Sequence, residues 1–363
     1  MTLAQRPERQ AAPTDASQPR PADHAVVHVR GITKSYLVQR SILEIARHPL
    51  SRPRAPVLNG ISFDVRRGEL FGLLGLNGAG KTTLLKILAT LVLPDTGAAT
   101  IEGRDVVGEA GAVREQLAIV TADERSLHWR LSALENLRLF AGLHRLSRRE
   151  ARARVAEALA AVNLADTGDK MVGAFSSGMR QRLLVARALL PRPRVFLLDE
   201  PTRSLDPLSA HDFRRLIRDL LIRERGATVL LATHNAEEAF SYCDRVAVLH
   251  RGAIAALGSA SGLAARFARE QYRVWTATRD HWALAALVAD GVVRRLSAPD
   301  AEEGTVTFEL DGGDEAAANV LRRLVESGVA VSRFERVPLA LSALIAHIAA
   351  AHETSAARGG HDA

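Results

Sequence analysis

The residues best suited to chemistry in this sequence form a short glycine-rich stretch between an apolar run and a segment with helical spacing. The stretch reads Gly75, Leu76, Asn77, Gly78, Ala79, Gly80, Lys81, Thr82, Thr83. Glycines leave backbone N–H groups free to surround phosphate oxygens, and a helix start adds positive potential. The Lys81 ammonium group can reach the β- and γ-phosphates of a nucleotide, and the Thr82 hydroxyl can bind Mg²⁺. The stretch therefore predicts a nucleoside triphosphate site that also holds Mg²⁺.

Two carboxylates follow the apolar run 195–198 directly. A buried strand that ends in Asp199 can hold Mg²⁺ through its carboxylate or through an ordered water. Glu200 can take a proton from an attacking water as a general base. Such a pair is common at strand ends. It supports a nucleotide site here because it follows the glycine-rich stretch in the sequence.

A third polar group precedes a predicted helix between these two motifs. It reads Phe175, Ser176, Ser177, Gly178, Met179. A hydroxyl and a backbone N–H at a helix start also suit phosphate. One chain cannot easily point two phosphate-binding helices at one nucleotide, so we expect this group to complete the site of another subunit.

Across about residues 26–262 the order of these motifs resembles the ATP-binding cassette (ABC) family. The glycine-rich stretch matches the Walker A loop, residues 175–179 match the signature motif, and residues 197–200 match the end of Walker B. Three further residues match single family positions: Asp206 the D-loop aspartate, His234 the switch histidine and Tyr36 the aromatic ring that stacks on adenine.

The resemblance implies how the residues act. Two subunits would form a head-to-tail homodimer with two ATP molecules, each held between Walker A of one subunit and the signature of the other. Glu200 would be the catalytic base and His234 would contact the γ-phosphate. Asp206 would communicate across the interface. Without the resemblance, His234 would be read as a core histidine and Tyr36 as a packing residue.

One segment departs from the family pattern. Members usually carry a glutamine between Walker A and the signature that touches Mg²⁺ and couples to the membrane domain. Residues 119–129 contain no glutamine. Asp123 is the first candidate to replace it, because a carboxylate also supplies oxygen ligands, and Glu124 is the second.

The spacing of apolar residues predicts an α/β fold. Short apolar strands at 70–74, 195–198 and 229–232 alternate with helices at 82–93, 132–163 and 179–190, which indicates a mostly parallel sheet covered on both faces. The resemblance implies a P-loop NTPase core with an antiparallel β subdomain and a helical subdomain.

Composition divides the chain further. Residues 1–24 and 352–363 read as disordered tails, 25–262 as the nucleotide-binding domain and 263–351 as a C-terminal domain, while the basic, proline-containing segment 40–56 reads as a surface insertion. In the C-terminal domain strands are predicted at 271–277, 292–296, 306–310 and 329–337 and helices at 280–289, with Asp280 as its N-cap, at 314–326 and at 339–351. The order βαββαβ is that of a ferredoxin-like domain, whose role would be dimer stabilisation or ligand sensing.

Charge and cysteine content exclude several classes of protein. The 48 basic and 41 acidic residues give a net charge of +7, but the arginines are spread along the chain, so no nucleic acid is expected as a partner. The single cysteine, Cys243, excludes a disulfide framework and is expected to be buried. No segment has the length of a membrane span or of an apolar signal core.

These observations favour an ATPase subunit that lies peripherally at the cytoplasmic face of the inner membrane and works with separate membrane permease subunits. The serine-rich signature, the basic insertion and the C-terminal domain look like those of ABC-2-type exporters of polysaccharides, lipids or drugs. An importer ATPase is one alternative. The other is a soluble ABC ATPase that acts on nucleic acid or ribosomes, although the chain has one cassette and no long heptad segment between Lys81 and Ser176.

Overall fold

The structure is a computed structural model that describes residues 25–38, 53–121, 126–267, 270–276, 282–294, 296, 305–310, 313–337, 344 and 348. The predicted tails, most of the basic insertion, Asp123, Glu124 and Asp280 lie outside these residues.

The first sheet has four antiparallel strands. Its members are β1 (Ala25–Leu37), β2 (Arg54–Arg66), β4 (Thr96–Ile101) and β5 (Arg104–Asp105), in the order β2-β1-β4-β5. Alternation in β1 buries Val27 and Val29 on one face, as expected of a sheet that is covered on one side. Leu37 pairs with Arg54 at the end of the β1–β2 hairpin where the chain passes from one strand to the other, so residues 54–56 of the predicted insertion belong to β2.

The second sheet has six strands in the order β10-β9-β3-β8-β7-β6. They are β3 (Leu70–Gly75), β6 (Leu117–Thr121), β7 (Val195–Asp199), β8 (Thr228–Thr233), β9 (Arg245–His250) and β10 (Ala253–Ser259). All neighbours are parallel except β9 and β10. Every residue of β3 and β8 is buried, because helices and the first sheet cover both faces.

The described chain also contains ten α-helices with defined bounds, and a π-helix, Ile217–Glu224, follows the sixth directly. They are α1 (Lys81–Leu88), α2 (Ala110–Gln116), α3 (Ala133–Leu143), α4 (Arg148–Ala161), α5 (Ser177–Leu189), α6 (Pro207–Leu216), α7 (Ala236–Tyr242), α8 (Ala260–Phe267), α9 (Trp282–Ala289) and α10 (Gly313–Glu326). The region predicted as mostly helical, 132–163, contains α3 and α4. Each starts with a capping box, made by Ser132 with Glu135 and by Ser147 with Glu150.

Two apolar cores flank the six-stranded sheet. Alternate residues of β7 show the division, because Val195 and Leu197 face the first sheet and α1, while Phe196 and Leu198 face α3 to α7. We call these the sheet-side core and the helix-side core. Cys243 packs in the helix-side core, which confirms its predicted burial. The predicted α/β fold with a mostly parallel sheet is confirmed.

The C-terminal part forms a three-stranded antiparallel sheet of β11 (Glu270–Thr276), β12 (Thr305–Leu310) and β13 (Val331–Val337), in the order β12-β11-β13. The prediction of a strand over 292–296 is wrong for the residues described there, 292–294 and 296, because among these only Arg294 makes a β-bridge, to Glu309 at the outer edge of β12. Val292 and Val293 instead donate their N–H groups to the Leu287 carbonyl and end α9. The bridge still lies where the second strand of a ferredoxin-like sheet would pair.

The helix-side core extends beyond the predicted domain boundary at residue 262. Leu263 and Phe267 of α8 belong to this core, and so do Leu344 and Ile348, which are helical and fully buried. Their spacing of four matches one face of the helix predicted over 339–351. The chain therefore returns to the main core after the small sheet.

No helix in the described ranges is both long enough and apolar enough to pass through a lipid bilayer.

The return of the chain to the helix-side core predicts a stability effect far from the nucleotide motifs. Ile348→Ala removes a fully buried side chain and should lower the free energy of unfolding by about 2–5 kcal/mol, because a cavity remains. Val325→Ala, at a side chain that is 59% exposed, is the matched control and should change it by less than about 0.5 kcal/mol. Urea unfolding measures both, and equal effects would contradict the packing described.

Candidate functional site

The glycine-rich loop 76–80 joins β3 to α1 and places Lys81 in the first turn of that helix. The Lys81 ammonium group is buried and donates to the carbonyl oxygens of Gly75 at 2.7 Å and Leu76 at 3.2 Å. Its Nζ lies 3.5 Å from Glu200 Oε1. Burial lowers the Lys81 pKa, and the Glu200 charge acts in the opposite direction. An ammonium group at this depth is suited to binding an anion that enters the loop.

Two glycines in this loop have a backbone conformation that other residues rarely adopt. Gly80 has φ +107°, and a Cβ there would lie 2.8 Å from the Val57 carbonyl oxygen. Gly78 has φ +82°, and a Cβ there would meet open space. The first position demands glycine for backbone conformation and close packing. The second leaves the backbone accessible, as phosphate binding requires.

Thr82 and Asp199 bring two oxygen donors together across α1 and β7. Thr82 Oγ1 donates a hydrogen bond to Asp199 Oδ1 at 3.1 Å. Burial raises the Asp199 pKa, and the Thr82 hydrogen bond partly offsets that rise. A hydroxyl and a carboxylate are ligands that suit Mg²⁺, so the residues present fit this metal.

Glu200 follows Asp199 in a strained backbone conformation with φ +48°, and its N–H donates to the Ala232 carbonyl at 2.9 Å. Three basic side chains lie near its carboxylate. Besides Lys81, His234 Nδ1 lies 3.2 Å and Arg203 Nη1 3.9 Å from Oε2. Neither contact gives Oε2 a hydrogen bond, although this atom is buried. A buried carboxylate oxygen with an open acceptor position is what a general base needs.

Apart from His234, which contacts Glu200 from outside the lining, these groups line one cleft of about 510 Å³. Its lining residues are Tyr36, Val57, Asn77, Gly78, Gly80, Lys81, Thr82, Thr83, Thr121, Asp199, Glu200 and Arg203. The structure thus brings together the predicted loop, the predicted carboxylates and Tyr36, whose exposed fraction is 40%. Gly75 and Ala79 shape the loop from below: Gly75 accepts the Lys81 hydrogen bond and Ala79 donates its N–H to the Leu76 carbonyl at 3.1 Å.

The sequence analysis did not single out Val57, Thr121 or Arg203. Arg203 follows Glu200 by three residues, and its side chain is 66% exposed. The closeness of a basic residue to the predicted catalytic carboxylate was the only feature of the sequence that could have pointed to Arg203. Thr121 ends β6 and lines the cleft, while Asp123 and Glu124 lie outside the described residues. The proposed role of Asp123 in place of the glutamine stays a prediction.

The strand that carries Tyr36 is held by Asp95. Its carboxylate accepts hydrogen bonds from the Ser35 N–H and hydroxyl, both at 2.7 Å, and from Lys34 Nζ at 3.0 Å. The Ser35 and Lys34 bonds hold the Asp95 pKa well below its ordinary value. Asp95 therefore fixes the end of β1 at the side of the cleft where Tyr36 lies.

The signature residues stand apart from the cleft lining. The Ser176 hydroxyl accepts the Met179 N–H at 3.2 Å and caps α5, whose first residues are Ser177 and Gly178. Asp206 caps α6 in the same way, with the N–H groups of Leu208 at 3.1 Å and Ser209 at 3.0 Å. Hydrogen bonds from Ser209 lower the Asp206 pKa. Within the described chain, neither helix start contributes a residue to the cleft of its own subunit.

The Asp95 contacts predict a pH dependence. Because the folded-state pKa of Asp95 is below the ordinary value of 3.8, its contribution to stability is present above that pH and is lost as the pH falls below it. Asp95→Asn should lower the free energy of unfolding at pH 7, and its difference from wild type should shrink below pH 3.8. Urea unfolding at several pH values measures this, with Asp169→Asn at an exposed position as control. A difference that is constant with pH would contradict the role of the charge.

Comparisons with known proteins agree with this geometry. A family model described as "ABC transporter" matches residues 58–203. Daunorubicin resistance ATP-binding protein DrrA3 of Streptomyces coeruleorubidus is 41% identical over 75% of this chain and 84% of that protein. ABC transporter ATP-binding protein NatA of Bacillus subtilis is 37% identical over 56% of this chain and 82% of that protein. The solved structure of cbiO1 from Clostridium perfringens, part of the ABC transporter complex cbiONQ, has TM-score 0.58 and 26% identity over 67% of this chain and 92% of that one.

The match to DrrA3 covers most of both proteins. Residues 58–203, which the family model matches, contain the phosphate loop, the two carboxylates and the signature helix. The predicted family, fold class and ATPase activity are thereby confirmed. The chain belongs to the ABC transporter family as one of its ATP-binding proteins, and it is an ATPase.

Proposed function

We propose that this chain is the ATP-hydrolysing subunit of an exporter, in which two copies close on two ATP–Mg²⁺ and drive separate membrane subunits. One observation carries the proposal. The chain has two helix starts suited to phosphate, at Lys81 and at Ser176, and only the first belongs to the cleft. A second copy, placed head to tail, would bring its signature to the open side of that cleft.

The residues of the cleft divide the work of hydrolysis. Lys81 and the loop N–H groups bind the phosphates, and Tyr36 stacks on the adenine ring. Thr82 and Asp199 hold Mg²⁺, which neutralises charge on the phosphate oxygens when bound. Glu200 Oε2 takes a proton from water as the water oxygen bonds to the γ-phosphorus and the bond to the ADP oxygen breaks. His234, 3.2 Å from Glu200, holds the γ-phosphate and the base in line.

The partner subunit would complete the site. Its Ser176 hydroxyl and the N–H groups at the start of α5, including Ser177, Gly178 and Met179, would bind the γ-phosphate from the opposite side. Asp206 is the N-cap of α6. Gly178 lies close to this helix, since a Cβ at Gly178 would be 3.6 Å from Ser209 Oγ. The two helix starts are therefore neighbours, and closure on ATP would move them together.

A groove on another side of the chain supports a membrane partner. It has a volume of about 280 Å³ and lies between α1, β6, α3 and α5. Its lining includes Leu91 and Phe140. Leu91 is 62% exposed, and Leu143 nearby on α3 is 69% exposed. We propose that a short amphipathic helix of a permease subunit packs here, which would hold the chain at the cytoplasmic face of the membrane.

The names of the relatives favour export. Besides the daunorubicin resistance protein, similar proteins are named doxorubicin resistance ATP-binding protein in Mycobacterium tuberculosis and Nod factor export ATP-binding protein I in Rhizobium meliloti. We therefore propose a drug-like or lipid-like molecule as the exported substrate. An importer ATPase, or an ATPase of nucleic acid or ribosomes, is the alternative.

The shared site predicts ATP-dependent dimers. Glu200→Gln keeps the shape of the base but cannot take the proton, so we expect a stable dimer with ATP and Mg²⁺ and a monomer without them, by light scattering. Adding Gly178→Asp should abolish that dimer, because a negative charge would face the partner's phosphates. Space around Gly178 admits a side chain, so folding should survive. A Glu200→Gln protein that stays monomeric with saturating ATP–Mg²⁺, or a double variant that still dimerises, contradicts the head-to-tail site.

The groove predicts which variant loses the membrane partner. Tagged protein purified from the host's membranes should carry an integral membrane chain, and Leu91→Glu, in the groove lining, should reduce its yield without changing ATP binding. Val325→Glu, also at an exposed apolar side chain, is the control and should leave the yield unchanged. Ribosomes or DNA in place of a membrane chain would overturn the transporter assignment. Equal yields from the two variants would remove the partner from this groove.

A further inference from the structure

A buried carboxylate that the proposed reaction does not use lies behind the catalytic cleft. Glu238, on α7, has an exposed fraction of 1%. Its neighbour Glu237 is exposed. An acidic side chain is rarely buried unless strong partners compensate for its lost hydration. The partners of Glu238 are therefore informative.

The two oxygens of Glu238 bind two different segments of the site. Oε1 accepts a hydrogen bond from Thr202 Oγ1 at 2.9 Å, and Oε2 accepts one from Thr233 Oγ1 at 2.5 Å. The Thr233 hydroxyl oxygen in turn accepts the Asn235 N–H at 3.0 Å. The Asn235 side chain caps α7 by accepting the Glu238 N–H at 3.1 Å. The two residues that flank His234 thus belong to this network, Thr233 through its hydroxyl and Asn235 through its N–H and its side-chain oxygen.

The Glu238 carboxylate is also connected to Glu200, through the turn that follows Glu200. Thr202 comes two residues after Glu200, within a turn closed by the Arg203 N–H and the Glu200 carbonyl at 3.1 Å. Glu200 has φ +48° in this turn, a conformation that persists only where the surroundings hold it. Glu238 binds the turn through Thr202 and so supplies part of that restraint.

A third contact leads to the helix that begins at Asp206. Arg214, on α6, places Nη1 at 3.9 Å from Glu238 Oε1. The Arg214 guanidinium also lies over the Tyr242 ring, 4.8 Å from its centre. The Tyr242 hydroxyl makes a 2.8 Å hydrogen bond with His211, also on α6. This helix is therefore attached to the same carboxylate as the segments that carry Glu200 and His234.

We propose that Glu238 is a positioning residue for ATP hydrolysis. It fixes the Glu200 and His234 segments relative to each other and links both to the helix that begins at Asp206. A single charged acceptor can do this because hydrogen bonds to a carboxylate are stronger than neutral ones, and more so in a buried setting. The proposal rests on the proposed roles of Glu200 and His234 in hydrolysis.

The test compares Glu238→Gln with Glu237→Gln in the full chain. Glutamine keeps the shape and removes the charge. We expect Glu238→Gln to lower the single-turnover rate of ATP hydrolysis about tenfold, the size of one lost charged hydrogen bond, with ATP affinity changed less than about twofold. Glu237→Gln should match wild type in both. An unchanged rate, or a loss of affinity equal to the loss of rate, overturns the proposal.

A His234→Ala background separates positioning from general damage. If Glu238 acts through the His234 segment, Glu238→Gln should cost much less in that background than in wild type. An equal loss in both overturns the proposal. If His234→Ala itself hydrolyses ATP at the wild-type rate, the proposed role of His234 in hydrolysis is wrong. The proposed action of Glu238 through His234 is then wrong as well.

Thr233→Val keeps the test decisive if Glu238→Gln does not fold. This variant removes one donor and leaves the carboxylate in place. It should lower the single-turnover rate with unchanged ATP affinity and should not add to the loss in His234→Ala. A Thr233→Val protein with the full wild-type rate would overturn the proposal.

Discussion

The structure depends on one concentration of charge at the carboxyl end of the parallel sheet. Lys81 is a buried ammonium group, and Asp199 and Glu200 are carboxylates with little exposure beside it. Burying these groups costs free energy that their mutual contacts recover only in part, which is why burial lowers the Lys81 pKa and raises that of Asp199. The arrangement makes sense as a site for a polyanion and a divalent cation, which supply the missing partners. The sheet order, the loop glycines and the strained Glu200 backbone all serve to hold it.

The surrounding contacts extend this site in three directions. Asp95 holds the strand with Tyr36 on the side of the cleft where we propose that adenine binds. Glu238 holds the turn after Glu200 and the segment of His234 from behind. The Ser176 and Asp206 helix starts lie close to each other but outside the cleft, where a second copy would meet them. The proposed head-to-tail dimer is the arrangement that would use both helix starts.

Local features of the site were predictable from the sequence. The phosphate loop follows one strand and starts one helix, so its chemistry is contained within nine neighbouring residues, and Asp199 and Glu200 end a continuous apolar run. The contacts of Asp95 with Ser35 and of Glu238 with Thr202 join segments that are far apart in the sequence, and no periodicity reveals them. The prediction of a strand at 292–296 was wrong because the N–H groups of Val292 and Val293 bond to the Leu287 carbonyl at the end of α9. A hydrophobic pattern does not show that a helix end competes for these groups. Likewise, the amphipathic pattern near residue 344 predicted a helix but not that Leu344 and Ile348 enter the helix-side core.

Complementation between two inactive variants tests the shared site most directly. Lys81→Ala should lack a working phosphate loop, and Gly178→Asp should lack a working signature. In a head-to-tail dimer of one copy of each, one of the two sites joins the intact loop of one chain to the intact signature of the other. We predict that each variant alone is inactive and that mixing them restores part of the ATP hydrolysis, most at equal amounts. Two folded variants that remain inactive at every mixing ratio, while they still form dimers with ATP, would contradict a site shared between subunits.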